Sequence, residues 1–423
     1  MGRVYTLSLA ELLQVLQSLG VEANILDVSH EVAVIDCSTT LDLPALQRRL
    51  GGIIKILKIV DVVKKREQDS VNFALKNYFK PSVIKTNFLK STTGKIQFGV
   101  SVYLLNNIEN IFGEPKRLGM FIKRAMQDTG SSIRLVLPEF NSLALASVVV
   151  THNQLTVKGA EICVIAATNK VYVAKTVTVQ DFEDYGRRDY QRPVRDDVRG
   201  MMPPKVAQSM LNLIGVQRGA TLLDPFCGIG TIVQEGALLD YKMVGTDIDK
   251  FAIQGCEKNL EWFRNRYKVP KGKYHIEVSD AKNVSTFIKH LKEIKAITEV
   301  TGIVTEGTLG PLYSHKFPSP GEISQNFANL GSLYATCFDD FNKFLQPKSK
   351  IAITIPAYKK SLTEYIMFPT LDFARVYGYN IVSVIDQKVA KTLPFLRVTP
   401  RGTVIYDRKD QIVAREIVVF EKT

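Results

Sequence analysis

The sequence feature that most constrains the fold is the segment 224–231, which reads DPFCGIGT. It follows a short apolar run at 221–223 and precedes a helix-like stretch at 232–239. Glycines in such a turn let the backbone approach a ligand closely, and the following helix presents free N–H groups to an anion. Asp247 comes about 20 residues later, at the end of the next predicted strand, where a carboxylate suits ribose hydroxyls. The layout therefore predicts a nucleotide-like cofactor on a parallel α/β sheet.

The glycine pattern argues against a dinucleotide as this cofactor. A dinucleotide loop carries three glycines in the pattern G-x-G-x-x-G, whereas this segment has two, Gly228 and Gly230, preceded by Asp224. A carboxylate at the end of the strand repels a pyrophosphate but suits an ammonium group. S-adenosylmethionine carries an ammonium group, a carboxylate and an adenosine, so the sequence favours this cofactor. The alternative is an ordinary strand–turn–helix connection that needs glycine only for the turn.

Charge and composition narrow the class of protein. The chain has 55 Lys and Arg against 42 Asp and Glu, a formal net charge of +13, and this excess favours a polyanionic partner such as nucleic acid. We expect no membrane-spanning helix, because no apolar run reaches about 18 residues, and the N-terminus does not read as a signal peptide. The five cysteines are scattered without a C-x-x-C pair. This pattern predicts a reducing compartment, here the cytoplasm, and no metal site.

The spacing of apolar residues predicts two small α+β units ahead of the cofactor-binding unit. In the first, we expect a strand at 4–7 and a helix at 8–19. In the second, the clearest helix is predicted at 116–127, with apolar residues on one face. Its basic residues, Lys116, Arg117, Lys123 and Arg124, are candidates for contact with RNA phosphates. The alternative for this basic surface is an ordinary solvated helix face.

From residue 221 onward, strand-like runs alternate with helical stretches, which predicts a doubly wound α/β sheet. The expected strands lie at 221–224, 243–246, 275–278, 302–305, 351–355 and 381–385. The end of the chain differs, because the runs at 395–398, 403–406 and 412–420 predict antiparallel strands.

With these motifs, the chain resembles the THUMP-domain-containing tRNA guanine-N2 methyltransferases, a class I S-adenosylmethionine-dependent family of the position-10 guanosine type. The strings 188–193 (RDYQRP) and 200–205 (GMMPPK) are similar to that family's entry into its catalytic domain, and 224–231 is similar to its cofactor loop. The resemblance implies tRNA as the partner and methylation of an exocyclic guanine amine. It also implies four segments: a ferredoxin-like domain at 1–65, a THUMP RNA-binding domain at 66–178, a linker at 179–203 and a Rossmann-like methyltransferase domain with a mixed seven-stranded sheet at 204–423.

The same resemblance implies roles for individual residues. Asp224 and the two loop glycines would line the methionine end of the cofactor, and Asp247 would hold the ribose. Ile248 would pack on the adenine, and Asp280 would meet its amine. The full cofactor-binding set implied is Asp224, Phe226, Gly228, Gly230, Thr231, Asp247, Ile248, Asp280 and Ala281. Some members of the family work with a small zinc-binding activator subunit, and the sequence does not reveal an interface for one.

The sequence departs from the family at the catalytic motif. The family carries Asp-Pro-Pro followed by an aromatic residue: a carboxylate and a backbone carbonyl accept the two amine N–H groups, and the ring stacks on the extruded base. The corresponding string here is 305–311 (TEGTLGP), so Thr305, Glu306 and Gly307 are the catalytic candidates, with Glu306 supplying the carboxylate. Because glycines replace the prolines, we expect a less preorganised loop. Tyr313 or Phe317 would provide the stacking ring.

Three functions remain open from the sequence alone. The chain is an active variant that uses Glu306, or a protein that binds S-adenosylmethionine and RNA without catalysis, or an enzyme that methylates another substrate, such as a DNA adenine or another RNA site. The intact cofactor loop favours an enzyme over a pure binding protein. The N-terminal units favour RNA over DNA.

Overall fold

The computed structural model describes residues 1–75, 77–89, 96–105, 115–128, 132–196, 200–313, 316–361, 364–408 and 411–423. The helices are, in chain order, α1 (Tyr5–Ser18), α2 (Leu43–Arg49), α3 (Val71–Leu75), α4 (Pro81–Asn87), α5 (Pro115–Gln127), α6 (Ser147–His152), α7 (Phe182–Tyr190), α8 (Pro204–Leu213), α9 (Thr231–Leu238), α10 (Lys250–Tyr267), α11 (Ser285–Glu293), α12 (Pro320–Asn342), α13 (Asp372–Arg375) and α14 (Gln387–Thr392), with a short 3₁₀ helix at Ala281–Asn283. The strands are β1 (Ala23–Val28), β2 (Ala33–Cys37), β3 (Lys55–Lys64), β4 (Ile96–Leu104), β5 (Ile133–Val136), β6 (Ala160–Ala166), β7 (Lys170–Val179), β8 (Thr221–Asp224), β9 (Lys242–Asp247), β10 (Tyr274–Val278), β11 (Gly302–Glu306), β12 (Lys350–Lys359), β13 (Tyr365–Ile366), β14 (Tyr379–Val382), β15 (Val404–Tyr406) and β16 (Val413–Lys422).

The chain divides into two compact units that are not each continuous in sequence. Unit 1 comprises Met1–Tyr5, Glu22–Arg49 and Ile53–Phe182, and unit 2 comprises Thr6–Val21, Leu50–Gly52 and Glu183–Thr423. Most of helix α1 therefore groups with the C-terminal part of the chain, which the boundaries expected after residues 65, 178 and 203 do not anticipate. The ferredoxin-like, THUMP and linker assignments stay predictions. Within that linker, residues 197–199 lie outside the described residues.

Unit 1 is built on a five-stranded sheet in the order β3-β7-β6-β4-β5 and a separate β1-β2 hairpin. Strand β4 runs parallel to both β5 and β6, and the other pairs are antiparallel. Strand β6 is buried along its whole length, as expected for a run of apolar residues in a sheet interior. The apolar sides of α3, α4 and α5 contribute Val71, Ile84 and Ile122 to the core beside this sheet.

Unit 2 contains the predicted mixed sheet. Seven strands lie in the order β10-β9-β8-β11-β12-β16-β14, and the short strands β13 and β15 pair with β12 and β16. The strands from β10 to β12 are mutually parallel, and β16 runs antiparallel between β12 and β14. The chain order reverses between β8 and β11, and in such sheets ligands bind at the carboxyl ends of the strands next to this reversal. The expected α/β architecture with an antiparallel ending is thus confirmed.

Two of the expected strands are wrong. Residues 4–7 were expected to form a strand, but helix α1 already begins at Tyr5. Its first turns are almost fully buried, and a short apolar run does not distinguish a buried helix from a strand by its periodicity. The expected strand at 395–398 forms only an isolated bridge between Val398 and Val404.

The cysteines and acidic residues show no arrangement for a metal in the part of the chain that is described. All five cysteines are free, and four of them are buried. No group of three or more His, Cys, Asp or Glu side chains among the described residues is placed to hold a metal ion. Within the same residues, no helix is both long enough and apolar enough to cross a membrane.

Candidate active site

The loop between β8 and α9 lies at the reversal of strand order and has the geometry that its glycines allow. Gly228 and Gly230 have φ angles of +51° and +90°, a backbone region that L-residues with side chains rarely occupy. A Cβ on Gly230 would lie 2.6 Å from the sulfur of Cys256, whereas a Cβ on Gly228 would project into open space. The loop therefore needs glycine at 230 for packing, and the position of a Cβ at 228 is open space beside the loop.

Asp224 ends strand β8 and is the most buried carboxylate of the site, at 1% exposure. It accepts hydrogen bonds from Thr305 Oγ1 at 2.6 Å and from the backbone N–H of Phe226 at 3.3 Å. Burial raises its pKa to about 8, and these two hydrogen bonds only partly oppose that effect. A positively charged ligand group beside Asp224 would favour its ionised form.

Asp247 ends strand β9, the neighbour of β8, and is tied to the cofactor loop. Its Oδ2 accepts a hydrogen bond from the N–H of Gly228 at 2.9 Å, and its Oδ1 accepts one from the N–H of Asp249 at 2.9 Å. A carboxylate has about four acceptor sites on its two oxygens, so these two bonds leave acceptor capacity for ligand hydroxyls. The structure thus places Asp247 beside the glycine loop, and its role in holding a ribose stays a prediction.

Two exposed apolar side chains follow Asp247. Ile248 is 69% exposed, and Phe251, in the first turn of α10, is 82% exposed. Exposed apolar side chains beside a conformationally constrained loop are suited to cover the flat face of a ligand ring. Ile248 was a sequence candidate. Phe251 was missed, although its place just after the helix cap Asp249 was visible in the sequence.

Asp280 and Ala281 follow the third strand of this edge, β10. Asp280 caps the 3₁₀ helix by accepting a hydrogen bond from the N–H of Lys282 at 3.0 Å, and it also pairs with the Lys282 ammonium at 3.3 Å. The N–H of Ser279 donates to the carbonyl of Asp247 at 3.0 Å, which fixes the two strand ends to each other. Ala281 is buried in the apolar core of unit 2, so only its backbone is available to a ligand.

Phe226 and Thr231 complete the sequence-predicted cofactor set. Phe226 is half-buried and packs against the unit 2 core. Thr231 starts α9 and is 8% exposed, and its hydroxyl accepts a hydrogen bond from Arg192 Nη1 at 2.7 Å. Arg188 donates to Glu235 of the same helix at 2.7 Å. These arginines belong to the family-like string at 188–193, and sequence reasoning missed that they brace the cofactor helix.

The catalytic candidates lie at the end of β11, next to β8. Thr305 is fully buried and contacts Asp224, whereas the Glu306 side chain is 21% exposed. Arg415 of strand β16 donates from Nε to Glu306 Oε1 at 2.5 Å. Sequence reasoning did not anticipate this partner of Glu306.

The loop after Glu306 is ordered by helix α12 rather than by prolines. Tyr334 donates its hydroxyl to the carbonyl of Thr308 at 2.6 Å, and the Asn326 amide donates to the carbonyl of Leu309 at 3.3 Å. A Cβ on Gly307 would lie 2.7 Å from the Tyr334 hydroxyl. Glycine at 307 therefore permits close contact with α12, and two side-chain hydrogen bonds supply order that the sequence alone did not suggest.

The two stacking candidates differ in their surroundings. Tyr313 is half-buried, and its ring meets that of Tyr358 edge to face at 6.0 Å. Phe317 is 40% exposed. Tyr358 is itself held by the Asn326 amide, which donates to its hydroxyl at 2.6 Å.

The predicted basic helix belongs to unit 1. Helix α5 exposes Lys116, Arg117 and Arg124, and Lys123 is half-buried. Leu118 and Ile122 of the same helix enter the core. The four basic residues thus lie on the outer side of an amphipathic helix, and their contact with RNA stays a prediction.

Comparison with known proteins bears on this geometry. Residues 192–289 match a family model described as "RMKL-like, methyltransferase domain". A probable tRNA (guanine(10)-N2)-dimethyltransferase of Methanothermococcus thermolithotrophicus is 33% identical over 129 residues, which is 30% of this chain and 72% of that protein. This chain belongs to the tRNA (guanine(10)-N2)-dimethyltransferase family. The family expected from the sequence motifs is thereby confirmed.

The match to other members of the tRNA (guanine(10)-N2)-dimethyltransferase family is partial. The Methanocaldococcus jannaschii enzyme of that name is 32% identical over 172 residues, and the match covers 40% of this chain but only 44% of that relative. At the level of fold, the crystal structure of TrmN from Thermus thermophilus aligns with a TM-score of 0.53 at 14% identity, over 97% of this chain and 96% of that one. The chain therefore shares its fold with that protein over nearly its whole length, and the α/β fold expected for the methyltransferase domain is confirmed.

Proposed function

We propose that this chain is an S-adenosylmethionine-dependent tRNA methyltransferase that transfers a methyl group to the exocyclic N2 amine of a guanosine. The observation that carries the proposal is the 2.6 Å hydrogen bond from Thr305 Oγ1 to Asp224 Oδ1. It joins the end of β11, where Glu306 stands, to the end of β8, where the cofactor loop begins. A carboxylate able to accept an amine proton is thus next to a loop suited to a methyl donor.

The residues at the strand ends fit S-adenosylmethionine. Asp224 suits its ammonium group, Asp247 its ribose, and Ile248 with Phe251 its adenine ring, while the open surface at Gly228 accommodates ligand atoms. When bound, this cofactor supplies a methyl group made electrophilic by a positive sulfonium.

Glu306 is the catalytic residue of the proposal. The exocyclic amine of guanine is a poor nucleophile because its lone pair is delocalised into the ring. By accepting an N–H of this amine, the Glu306 carboxylate increases electron density on nitrogen, and it then takes the proton that the amine releases. A backbone carbonyl of the adjoining loop, which α12 holds in place, accepts the second N–H.

The partners and location are part of the same proposal. The substrate is tRNA, bound in part through Lys116, Arg117, Lys123 and Arg124 of α5, and the location is the cytoplasm. The names of the relatives extend the proposal to two successive transfers that give dimethylguanosine. A small activator subunit, as in some relatives, is an additional partner to be tested.

Two substitutions separate catalysis from cofactor binding. Glu306→Ala should abolish methyl transfer while S-adenosylmethionine affinity stays within about twofold, because the carboxylate faces the acceptor base. Asp247→Ala should weaken cofactor affinity about tenfold or more, since a charged hydrogen-bonding group is lost. Both are measured by calorimetric titration of the cofactor and by transfer of a labelled methyl group to tRNA.

The control for these variants is Glu257→Ala, which removes an exposed carboxylate from α10 and should change neither quantity. Full activity of Glu306→Ala would disprove the role of Glu306. Unchanged cofactor affinity in Asp247→Ala would remove that residue from the site.

A further inference from the structure

Arg415 forms an ion pair with Glu306, and it comes from a different part of the chain. It lies on β16, which pairs with β12, and β12 in turn pairs with β11. Its Nε donates to Glu306 Oε1 at 2.5 Å, and its Nη1 donates to Gln411 Oε1 at 3.1 Å. The Arg415 side chain is 3% exposed. A guanidinium buried to this extent needs a compensating charge, and Glu306 supplies it.

The Arg415–Glu306 pair uses only one oxygen of the carboxylate, which leaves the other without a protein donor among the described residues. Arg415 engages only Oε1 of Glu306, the Glu306 side chain is 21% exposed, and no hydrogen bond from another described residue reaches Oε2. The unoccupied acceptor sites of the carboxylate are thus open to a ligand. A glutamate also has one more rotatable bond than an aspartate, so an anchor on one oxygen restricts its orientation.

A second Arg–Glu pair, whose glutamate Glu416 also lies on β16, differs in this respect. Arg401 donates to both oxygens of Glu416, at 2.8 and 3.0 Å, and the hydroxyl of Thr403 also donates to Glu416. The Glu416 side chain is fully buried. Both carboxylate oxygens of Glu416 accept hydrogen bonds from protein donors. This pair therefore stabilises the fold, and it provides a matched comparison for the Arg415–Glu306 pair.

We infer that Arg415 is a positioning residue for the catalytic carboxylate: it holds Glu306 in one orientation through Oε1 and leaves Oε2 free for the amine of the base. This inference rests on the proposed function, because it assigns Glu306 the role of amine acceptor. The guanidinium thereby supplies at Glu306 the constraint that the missing prolines would supply in the family motif.

The experiment compares Arg415→Met, Arg415→Lys and Arg415→Ala with Arg401→Met in the full-length protein acting on tRNA. In Arg415→Met, kcat should fall about 100-fold, since a misplaced reacting group costs about that much. The KM for tRNA and the affinity for S-adenosylmethionine should stay within about twofold.

Rescue tests the charge and the shape of the missing group. Guanidinium ion added to Arg415→Ala should restore part of kcat, and Arg415→Lys should retain more activity than Arg415→Met because it keeps the charge but not the planar fork. Arg401→Met should lower the melting temperature and should lower kcat far less than Arg415→Met does, and added guanidinium ion should not raise its kcat.

The outcomes test the positioning role of Arg415 separately from the catalytic role of Glu306. If Glu306→Ala keeps full activity, the proposed function of Glu306 fails. If Glu306→Ala is inactive but Arg415→Met has the kcat of the wild type, the positioning role alone is overturned. It is equally overturned if Arg415→Met and Arg401→Met behave alike. Should Arg415→Met fail to fold, Arg415→Lys decides, because it loses the planar fork that fixes the carboxylate: an undiminished kcat in that variant rejects the role.

Discussion

At the scale of single residues, the site is defined by carboxylates whose surroundings differ. Asp224 is buried beneath the cofactor loop, with Thr305 and the N–H of Phe226 as donors. Asp247 is half-buried and holds two backbone N–H groups. Glu306 is partly exposed and paired with Arg415. Only Asp224 combines near-complete burial with a position suited to a cationic ligand, and this makes it sensitive to pH.

The pKa of Asp224 gives a prediction for stability. Its pKa is raised from 3.8 to about 8, so between these pH values the folded state keeps a proton that the unfolded state releases. The protonated carboxyl therefore adds to the free energy of unfolding at low pH, and this contribution is lost as the pH rises from about 4 to about 8. Between pH 5 and pH 8, the melting temperature of Asp224→Asn should fall less than that of the wild type. The control Asp339→Asn, at an exposed site on α12, should follow the wild type; a parallel course of all three proteins would refute the prediction.

Sequence motifs identified some of these residues and missed others for a physical reason. Asp224, Asp247 and Glu306 are the last residues of parallel strands, and strand ends can be read from apolar runs. Arg415 lies 109 residues beyond Glu306. Its contact depends on how β16 registers against β12, which apolar periodicity does not specify. Arg192 was missed for a similar reason, because its role depends on the docking of 188–193 against α9.

At the scale of elements, helix α12 determines the shape of the loop 307–310, which follows Glu306. Tyr334 and Asn326 hold two successive carbonyls of that loop. Gly310, at the end of the loop, has a φ angle of +87°, and a Cβ there would lie 2.1 Å from the Asn326 amide. The loop and helix therefore fit only if position 310 has no side chain.

Gly310→Ala tests this fit. The Cβ should displace Asn326 and the loop carbonyls, which should lower kcat about tenfold or more and leave cofactor affinity unchanged. Gly219→Ala is the matched control, because Gly219 has a φ angle of +84° but open space around it. Both variants should lose about 1–2 kcal/mol of stability from backbone strain. Equal kcat values in the two variants, measured by methyl transfer to tRNA, would show that the loop does not depend on α12.

The elements themselves were predicted well where strand and helix alternate along the chain. Strand β8 matches its expected bounds, and β9 to β12 lie within a few residues of them. The prediction failed at α1, where a buried start resembles a strand, and at 395–398, where a β-rich sequence makes only one bridge. In both places, tertiary contacts decide between conformations that local sequence leaves equivalent.

At the scale of the whole molecule, unit 2, which holds the candidate site, includes residues from the N-terminal part of the chain. Glu11 of α1 is fully buried in unit 2. Its carboxylate accepts hydrogen bonds from the N–H groups of Gly51 and Gly52 at 2.8 and 2.7 Å and from the Asn212 amide at 2.7 Å. No sequence motif signals this grouping, because it depends on side chains about 200 positions apart.

Glu11→Ala should therefore destabilise unit 2. Three donors, two of them in buried hydrogen bonds, would lose this acceptor, at a cost of about 3 kcal/mol or more. Trp262 of α10 is the sole tryptophan of the chain, so its fluorescence reports unfolding of unit 2, and its midpoint in urea should fall. Glu22→Ala, an exposed position in unit 1, is the control. An unchanged urea midpoint of Trp262 fluorescence in Glu11→Ala would mean that Glu11 does not stabilise unit 2.

The central claim is that this molecule transfers methyl groups to guanine N2 in tRNA. The most direct test is transfer of tritium from labelled S-adenosylmethionine to unmodified tRNA transcripts, followed by nucleoside analysis, with Glu306→Ala as the blank. We predict label in N2-methylguanosine or N2,N2-dimethylguanosine with the wild type and none with Glu306→Ala. Label in another nucleoside, or no label despite tight binding of cofactor and tRNA, would contradict the claim.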